Sequence, residues 1–177
     1  MGAVCDANLL ESVESVESVD FKSDFGFNIV LVEPEIPPNT GNIARLALAT
    51  GSRLHLVKPL GFSVDDRQLR RAGMDYWKLL DPCYWESLAD LVAAPWWSER
   101  KFLFTTKATR PYWDIRFHSG DYLVFGRETK GLPESLLNQN PDDCFTIPMR
   151  PKARSLNLAT AVAIVLFEAV RQTAAGP

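Results

Sequence analysis

From Phe27 onward, short apolar runs alternate along this chain with segments of helical spacing. The apolar runs are rich in β-branched and aromatic residues and predict strands at 27–32, 53–58, 101–106, 121–126 and 144–149, with a further one expected at 77–81. Helical patterns lie between them, at 43–50, 65–73, 85–94, 133–139 and 157–172. Strand alternating with helix predicts an α/β fold on a mostly parallel sheet with helices on both faces.

The length and composition suit one soluble domain, which we place at residues 26–177. The chain has 177 residues, of which 46% are hydrophobic and 23% charged, enough to bury a core of ordinary size. No apolar run approaches the ~20 residues that span a bilayer, so no membrane partner is expected. Three widely spaced cysteines without a C-x-x-C pair argue against a disulfide framework or a structural zinc site and favour a reducing, cytoplasmic location.

Residues 1–25 differ in composition from the rest of the chain. They hold six acids and one base and include the repeat ESVESVESVD, so we expect an acidic, disordered tail. The tail resembles neither a signal peptide nor an arginine-rich transit peptide. Without it, the formal charge of −3 for the whole chain becomes about +2, which is compatible with a nucleic-acid partner without requiring one.

Three predicted loops leave strand ends and carry unusual residues: PPNTGNIAR (37–45), GRETKGLP (126–133) and IPMRPKARSLN (147–157). In an open parallel sheet, ligands bind at the carboxyl ends of the strands, so three such loops predict one composite site. The first contains the turn formers Asn39 and Asn42 and indicates a capped helix start or a binding loop equally well. Arg45 is expected near the first turn of the following helix, where the macrodipole disfavours a cation, and this suggests a functional arginine.

The second loop begins at Gly126 and reaches Gly131 five positions later, as in the first half of a phosphate-binding loop, G-x-x-x-x-G. The lysine and hydroxyl that complete such a loop are replaced by Leu132 and Pro133, and Glu128 inside it opposes an anionic ligand. The loop therefore suits a neutral or cationic ligand contacted by backbone groups, with a plain loop-to-helix turn as the alternative. No G-x-G-x-x-G is present in the sequence, which argues against a dinucleotide site.

The third loop precedes the last helix, and its three bases favour contact with phosphate. These bases are Arg150, Lys152 and Arg154. Ser155 or Asn157 can cap the helix. A second basic group shares one face of the short helix predicted at 65–73 and serves equally well as an RNA contact or as a solvated surface. Its members are Arg67, Arg70 and Arg71.

The last helix is apolar on more than one face, as its segment ATAVAIVLFEAV illustrates. A helix that is apolar nearly all round must be covered on every side, and one small sheet covers only one side. We therefore expect this helix to be threaded through its own domain or to pack on a second subunit. A central core helix is the alternative.

Together and in this order, these motifs resemble the SPOUT superfamily of RNA methyltransferases, and most of all the TrmL/YibK-type tRNA (cytidine/uridine-2′-O)-methyltransferases. The similarity covers residues 27–172 and rests on NIVLVEPEIPPNTGNIARL, DDRQLRRAGMDYW, FGRETKGLP and IPMRPKARSLNLATAVAIVLFEAVRQ. It implies a deep trefoil knot in the C-terminal part of the α/β fold, a homodimer with the last helix at the interface, and S-adenosyl-L-methionine as the methyl donor. The matching cofactor positions are Phe104, Gly126, Gly131, Ile147, Ser155 and Leu156.

The resemblance also implies a reaction, methylation of the ribose 2′-hydroxyl of the wobble nucleotide in leucine tRNAs. Arg45 would orient RNA phosphate and stabilise the developing alkoxide, because a guanidinium is a poor base. The other matching catalytic positions are Asn39, Glu128, Ser155 and Asn157. No metal is expected, because the sequence suggests no metal-ligand cluster. Two alternatives stay open: another site in tRNA or ribosomal RNA, and a non-catalytic module that binds RNA or the cofactor.

Overall fold

The computed structural model of the protein describes residues 26–63 and 77–174. The predicted acidic tail and the predicted basic helix, with Arg67, Arg70 and Arg71, lie outside the described residues. The strands are β1 (Asn28–Val32), β2 (Arg53–Val57), β3 (Cys83–Trp85), β4 (Lys101–Phe104), β5 (Tyr122–Phe125) and β6 (Cys144–Phe145). They form a six-stranded sheet in the order β3-β2-β1-β5-β4-β6, in which every neighbouring pair is parallel.

Five α-helices lie within the described residues: α1 (Pro37–Ala49), α2 (Trp77–Leu80), α3 (Leu88–Val92), α4 (Glu134–Gln139) and α5 (Leu158–Ala174). Short 3₁₀ turns cover Pro95–Ser98, Tyr112–Asp114 and Pro141–Asp143. None of the helices in this described part of the chain is long and apolar enough to cross a membrane.

Both faces of the sheet are buried, because alternate residues of each strand point to opposite sides. In β1, Ile29 and Leu31 join a core formed with α1 and α5. Val30 and Val32 join a second core on the other face, which includes residues of α3 and α4. The predicted α/β fold with a parallel sheet and helices on both faces is thus confirmed.

The strand order determines where a ligand can bind. β2 and β3 lie on one side of β1, and β5, β4 and β6 lie on the other, so the chain changes direction beside β1. Because all strands run the same way, the loops that follow β1, β4, β5 and β6 leave from the same edge of the sheet. Ligands of open parallel sheets bind at such a switch point.

Helix α1 begins earlier than its sequence pattern predicts. The pattern predicts a helix over 43–50 after a proline-rich turn, whereas α1 begins at Pro37. Proline suits this position because its fixed φ is helical and its missing N–H needs no partner in the first turn. Asn39 is therefore helical, and Arg45 lies in the third turn. The expectation that Arg45 sits near the helix N-terminus is wrong.

The prediction of a strand at 77–81 is also wrong, because this segment forms α2 and the short strand β3 follows it. Trp77 is 8% exposed and donates its indole N–H to the Tyr84 hydroxyl at 3.0 Å, whereas Leu79 is 78% exposed. A short apolar run does not distinguish a helix from a strand. The packing of Trp77 decides in favour of the helix, and the sequence pattern gives no information about that packing.

Two other elements are much shorter than their patterns predict. The helix predicted at 85–94 is observed only as α3. It begins later because Trp85 is paired in β3, and because the Ser87 side chain caps the helix by accepting from Asp90 N. The strand expected at 144–149 ends at Phe145. Thr146 forms an isolated parallel bridge with Pro111, and the residues from Ile147 onward belong to the loop at the carboxyl edge.

Helix α5 buries one face against the sheet and α1. The buried residues are Leu158, Ala159, Val162, Val165, Leu166, Ala169 and Val170. Phe167, by contrast, is 50% exposed. Within this chain, then, the sheet and α1 cover only one side of the last helix.

Candidate functional site

The loop that follows β5 is closed on itself. Arg127 N donates to Gly131 O at 3.2 Å and Gly131 N donates to Arg127 O at 2.9 Å. Gly126 lies against the far end of the loop, where a Cβ at this position would come within 2.1 Å of the Gly131 carbonyl carbon. Gly131 has φ +67°, a conformation that glycine adopts without strain. Both glycines are therefore required by the shape of the loop, for different reasons.

Glu128, at the tip of this loop, binds the start of α1. Its carboxylate accepts from Glu35 N at 2.8 Å, from Ile36 N at 3.2 Å and from Asn39 Nδ2 at 3.0 Å. Helix α1 has no acidic residue in its own first turn and no side-chain N-cap. The carboxylate of Glu128 thus satisfies N–H groups at the helix N-terminus and places a negative charge where the macrodipole favours it.

Asn39 extends this contact to the third loop. It is 6% exposed, and its Oδ1 accepts from Asn157 Nδ2 at 2.8 Å. The Oδ1 of Asn157 in turn accepts from Thr160 N at 3.3 Å, so Asn157, and not Ser155, caps helix α5. A continuous chain of side-chain hydrogen bonds, Glu128–Asn39–Asn157, joins the three loops that the sequence singles out.

A cavity of about 400 Å³ lies beside this chain of hydrogen bonds. All six residues predicted for cofactor binding line it: Phe104, Gly126, Gly131, Ile147, Ser155 and Leu156. Phe125 and Leu158 add to its apolar wall, and Glu128 also lines it. The cavity therefore combines apolar side chains with the backbone of three loops, as small-molecule sites commonly do.

The predicted charged residues divide into two groups. Arg154 lines the cavity, whereas Arg150 and Lys152 are exposed and do not. Arg45 is exposed on α1 and also lies outside the cavity lining. The structure therefore brings together Asn39, Glu128 and Asn157 by direct contact. It leaves Arg45 on the surface.

Sequence reasoning missed several residues of the site. Thr105, Thr106 and Lys107 follow β4 and line the cavity, and Thr146 does so after β6. The strand-end rule could have found Lys107, which directly follows the predicted run 101–106, whereas Thr105, Thr106 and Thr146 lie inside predicted strands. Glu35 is different, since its carboxylate accepts from Thr129 in the second loop, 94 residues away. No local pattern signals that contact.

His55, which the sequence places inside an apolar strand, has a structural environment. It is 4% exposed, Trp85 Nε1 donates to its Nδ1 at 3.2 Å, and its Nε2 lies 3.2 Å from Asn28 Oδ1. Burial, with a smaller contribution from the positive charge of Arg53, lowers the pKa of His55 to about 4. His55 is consequently neutral near pH 7, and it does not line the cavity.

Across residues 26–63 and 77–174, no group of three or more His, Cys, Asp or Glu side chains is arranged to hold a metal ion.

Comparison with known proteins gives consistent matches. A family model described as the SpoU rRNA Methylase family matches residues 26–167. The tRNA (cytidine(34)-2′-O)-methyltransferase of Polaromonas sp. (strain JS666 / ATCC BAA-500) is 51% identical over 150 residues, which cover 82% of this chain and 90% of the relative. A solved structure described as giving structural insights into the 2-OH methylation of C/U34 on tRNA is 45% identical, with a TM-score of 0.75, and the match covers 82% of this chain and 95% of that one.

A more distant structure contains a ligand. The SpoU methyltransferase AviRb from Streptomyces viridochromogenes, solved in complex with the cofactor AdoMet, is 25% identical to this chain with a TM-score of 0.70. The match covers 87% of this chain and 63% of AviRb. The family model spans most of the chain, and the Polaromonas relative is half identical over four fifths of it. This chain therefore belongs to the SpoU rRNA methylase family.

Proposed function

We propose that this protein transfers a methyl group from S-adenosyl-L-methionine to the ribose 2′-hydroxyl of cytidine or uridine 34, the wobble nucleotide of tRNA. The observation that carries the proposal is the 51% identity to a tRNA (cytidine(34)-2′-O)-methyltransferase over 90% of that relative. Leucine tRNAs are the proposed substrates and the cytoplasm the proposed location.

The cavity beside the three loops fits the cofactor. Its volume of about 400 Å³ lies within the ~300–1,000 Å³ range of small-molecule sites. Phe104, Ile147 and Leu156 offer apolar surface to a flat adenine ring, and the two glycines of the second loop let its backbone approach a ligand closely. Bound there, S-adenosyl-L-methionine would supply an electrophilic methyl group carried on a positively charged sulfur.

The side chains of the site would act by positioning. An in-line displacement needs the acceptor oxygen aligned with the methyl carbon, and holding that geometry supplies much of the rate. Asn39, Glu128 and Asn157 would keep the three loops in register, and Ser155 would contribute a hydroxyl at the cavity wall. None of these steps requires a metal ion.

Arg45 is proposed as the charged catalytic group. A guanidinium keeps its proton in proteins, so Arg45 would orient an RNA phosphate and stabilise the alkoxide that develops on the ribose, rather than accept a proton. Its exposed position on α1 is compatible with contact to a large substrate. Arg150, Lys152 and Arg154 would neutralise further phosphates, since clustered bases supply much of the affinity for RNA.

A homodimer and a knotted carboxyl end complete the proposal. Large apolar side chains remain exposed on and near α1 and α5, where they would be buried by a second copy of the chain. These are Ile36, Leu48, Leu156 and Phe167, between 37% and 50% exposed. The proposed trefoil knot would be formed by the chain that contains the third loop and α5.

The decisive experiment compares Arg45→Ala with wild type in an assay with labelled cofactor and bulk tRNA. We expect Arg45→Ala to abolish methyl transfer while cofactor affinity, measured by calorimetry, stays near that of wild type. Arg53→Ala removes an exposed arginine at the amino end of β2 and serves as the control. Full activity of Arg45→Ala would refute the assigned role.

Digestion of the labelled tRNA identifies the nucleotide. Label at the ribose of nucleotide 34 in leucine tRNAs is the expected result. Label at another position, or in ribosomal RNA, would replace the proposed substrate. Binding of cofactor and RNA by the wild type without any transfer would indicate a non-catalytic module.

A further inference from the structure

The turn between β1 and α1 and the second loop each supply a carboxylate to the other. Glu128 of the second loop accepts from Glu35 N and Ile36 N in this turn. Glu35 of the turn accepts from Thr129 in the second loop, from its N–H at 3.1 Å and from its hydroxyl at 2.8 Å. The turn and the second loop thus each supply a side-chain acceptor for backbone N–H of the other. We call this arrangement of Glu35, Glu128 and Thr129 the carboxylate clasp.

An ion pair lies next to the carboxylate clasp. The Arg127 guanidinium contacts the carboxylate of Glu33, which follows β1 directly. Glu33 has φ +52°, a conformation that costs a residue with a side chain roughly 1–2 kcal/mol. The turn after β1 therefore directs two carboxylates, at positions 33 and 35, toward the second loop.

The clasp spans residues that are far apart in sequence but close to the ligand cavity. Arg127, Glu128 and Thr129 line the cavity, whereas Glu35 does not. Glu35 therefore acts on the cavity only through the loop that it binds. A loop held in its bound shape before the ligand arrives does not lose conformational entropy on binding, and affinity rises accordingly.

We propose that Glu35 is a positioning residue that holds the second loop, 126–131, in the shape that binds the cofactor, so that it determines cofactor affinity without taking part in methyl transfer. The proposal rests on the proposed cofactor site in the cavity. It assigns Glu35 a role that is distinct from that of Glu128, because Glu128 also bonds Asn39 and through it the third loop.

The test uses Glu35→Ala in the full-length protein. This change removes the carboxylate but keeps the Glu35 N–H that Glu128 binds, so the other half of the clasp is preserved. We expect the dissociation constant for S-adenosyl-L-methionine, measured by calorimetry, to rise about tenfold or more, because hydrogen bonds to a charged group are lost. At saturating cofactor, kcat should stay within about twofold of wild type. Binding that is lost equally in the ground state and in the transition state raises KM and leaves kcat unchanged.

Two further variants separate positioning from a general structural effect. Glu35→Gln keeps one carbonyl oxygen as acceptor and should restore part of the affinity. Thr129→Val removes the hydroxyl but keeps the N–H, and should weaken binding less than Glu35→Ala does. The double variant Glu35→Ala/Thr129→Val should bind S-adenosyl-L-methionine no more weakly than Glu35→Ala does, because both changes break the same contact. Glu99→Ala, at an exposed acid before β4, is the control.

Hydrogen exchange supplies a readout that needs no cofactor. The Thr129 amide should be protected in the ligand-free wild type and lose that protection in Glu35→Ala. Unchanged cofactor affinity, unchanged exchange, or a fall in kcat at unchanged affinity would each overturn the proposal. If the wild type bound no cofactor at all, the proposed function would fail instead, and loss of Thr129 protection in Glu35→Ala would still show that Glu35 holds the loop.

Discussion

Asn157 donates its side-chain amide to Oδ1 of Asn39 at 2.8 Å, across 118 residues of sequence. The direction of this bond determines the next one, because Asn39 must then present its own amide to an acceptor. That acceptor is Glu128, at 3.0 Å. The three loops are therefore joined by side chains whose donor and acceptor roles are all determined, and a residue of the same shape with different roles should fail at the central position.

Asn39→Asp tests this arrangement. An aspartate cannot donate to Glu128 and would place a second carboxylate within hydrogen-bond distance of the first. We expect a lower free energy of unfolding than in Asn39→Ala near pH 8, by about 1–3 kcal/mol, together with loss of methyl transfer. Two neighbouring carboxylates repel each other, and one of them takes up a proton more readily. The difference in free energy of unfolding between Asn39→Asp and Asn39→Ala should therefore become smaller as the pH is lowered. Denaturant unfolding of both variants at two pH values decides the matter.

Five of the six strands were predictable from the sequence because a parallel sheet buries both faces, whereas β3 was not. Runs such as Ile29 to Val32 are then apolar at every position, with one half packing on each face. The start of α1 was not predictable from periodicity, because Pro37 indicates a turn as readily as a first helical residue. The identity of the segment after 76 depended on where Trp77 packs, and that is information about tertiary structure.

The composition of the site was more predictable than its contacts. Strand-end loops with glycines and bases marked the cavity, and Ser155 and Gly126 both line it. The partners of Glu128 lie 89 to 93 residues away, and those of Thr129 lie 94 away. Such pairs leave no local pattern in one sequence, so the carboxylate clasp could be found only in the folded chain.

The two glycines of the second loop should respond differently to alanine. In Gly126→Ala, the Cβ would lie 2.1 Å from the Gly131 carbonyl carbon, so the loop must open and cofactor binding should be lost. In Gly131→Ala, nothing lies within 4 Å of the Cβ, and the cost is the strain of φ +67°, about 1–2 kcal/mol. Calorimetry should therefore show a much higher affinity for S-adenosyl-L-methionine in Gly131→Ala than in Gly126→Ala. Equal affinities would contradict the close approach seen at Gly126.

His55 should make the protein sensitive to acid. Burial holds the pKa of His55 at about 4 in the folded protein, against 6.5 in the unfolded chain. Between these values the unfolded chain binds more protons, so the free energy of unfolding falls as the pH drops from 6.5 to 4 and is unaffected by this group above that window. The loss should approach about 3 kcal/mol.

His55→Gln is the matched variant for that measurement. Glutamine offers hydrogen-bond acceptor and donor groups but does not titrate. We expect the variant to be less stable than wild type near pH 7. Its free energy of unfolding should depend less steeply on pH between pH 6.5 and 4, because the titrating group is gone. Denaturant unfolding over a pH series provides both numbers. Parallel slopes in the two proteins would assign the acid sensitivity to other groups.

Adjacent residues of α5 separate folding from the proposed dimer. Leu166 is fully buried, so Leu166→Ala should lower the free energy of unfolding by about 2–5 kcal/mol. Phe167 is 50% exposed in the single chain, so Phe167→Asp should leave the fold of one subunit intact but place an unpaired charge in the interface between two. Sedimentation should then show a dimer for wild type and a monomer for Phe167→Asp, and the melting temperature should depend on protein concentration only in the wild type. A dimer that survives Phe167→Asp with unchanged concentration dependence would place the interface on another surface.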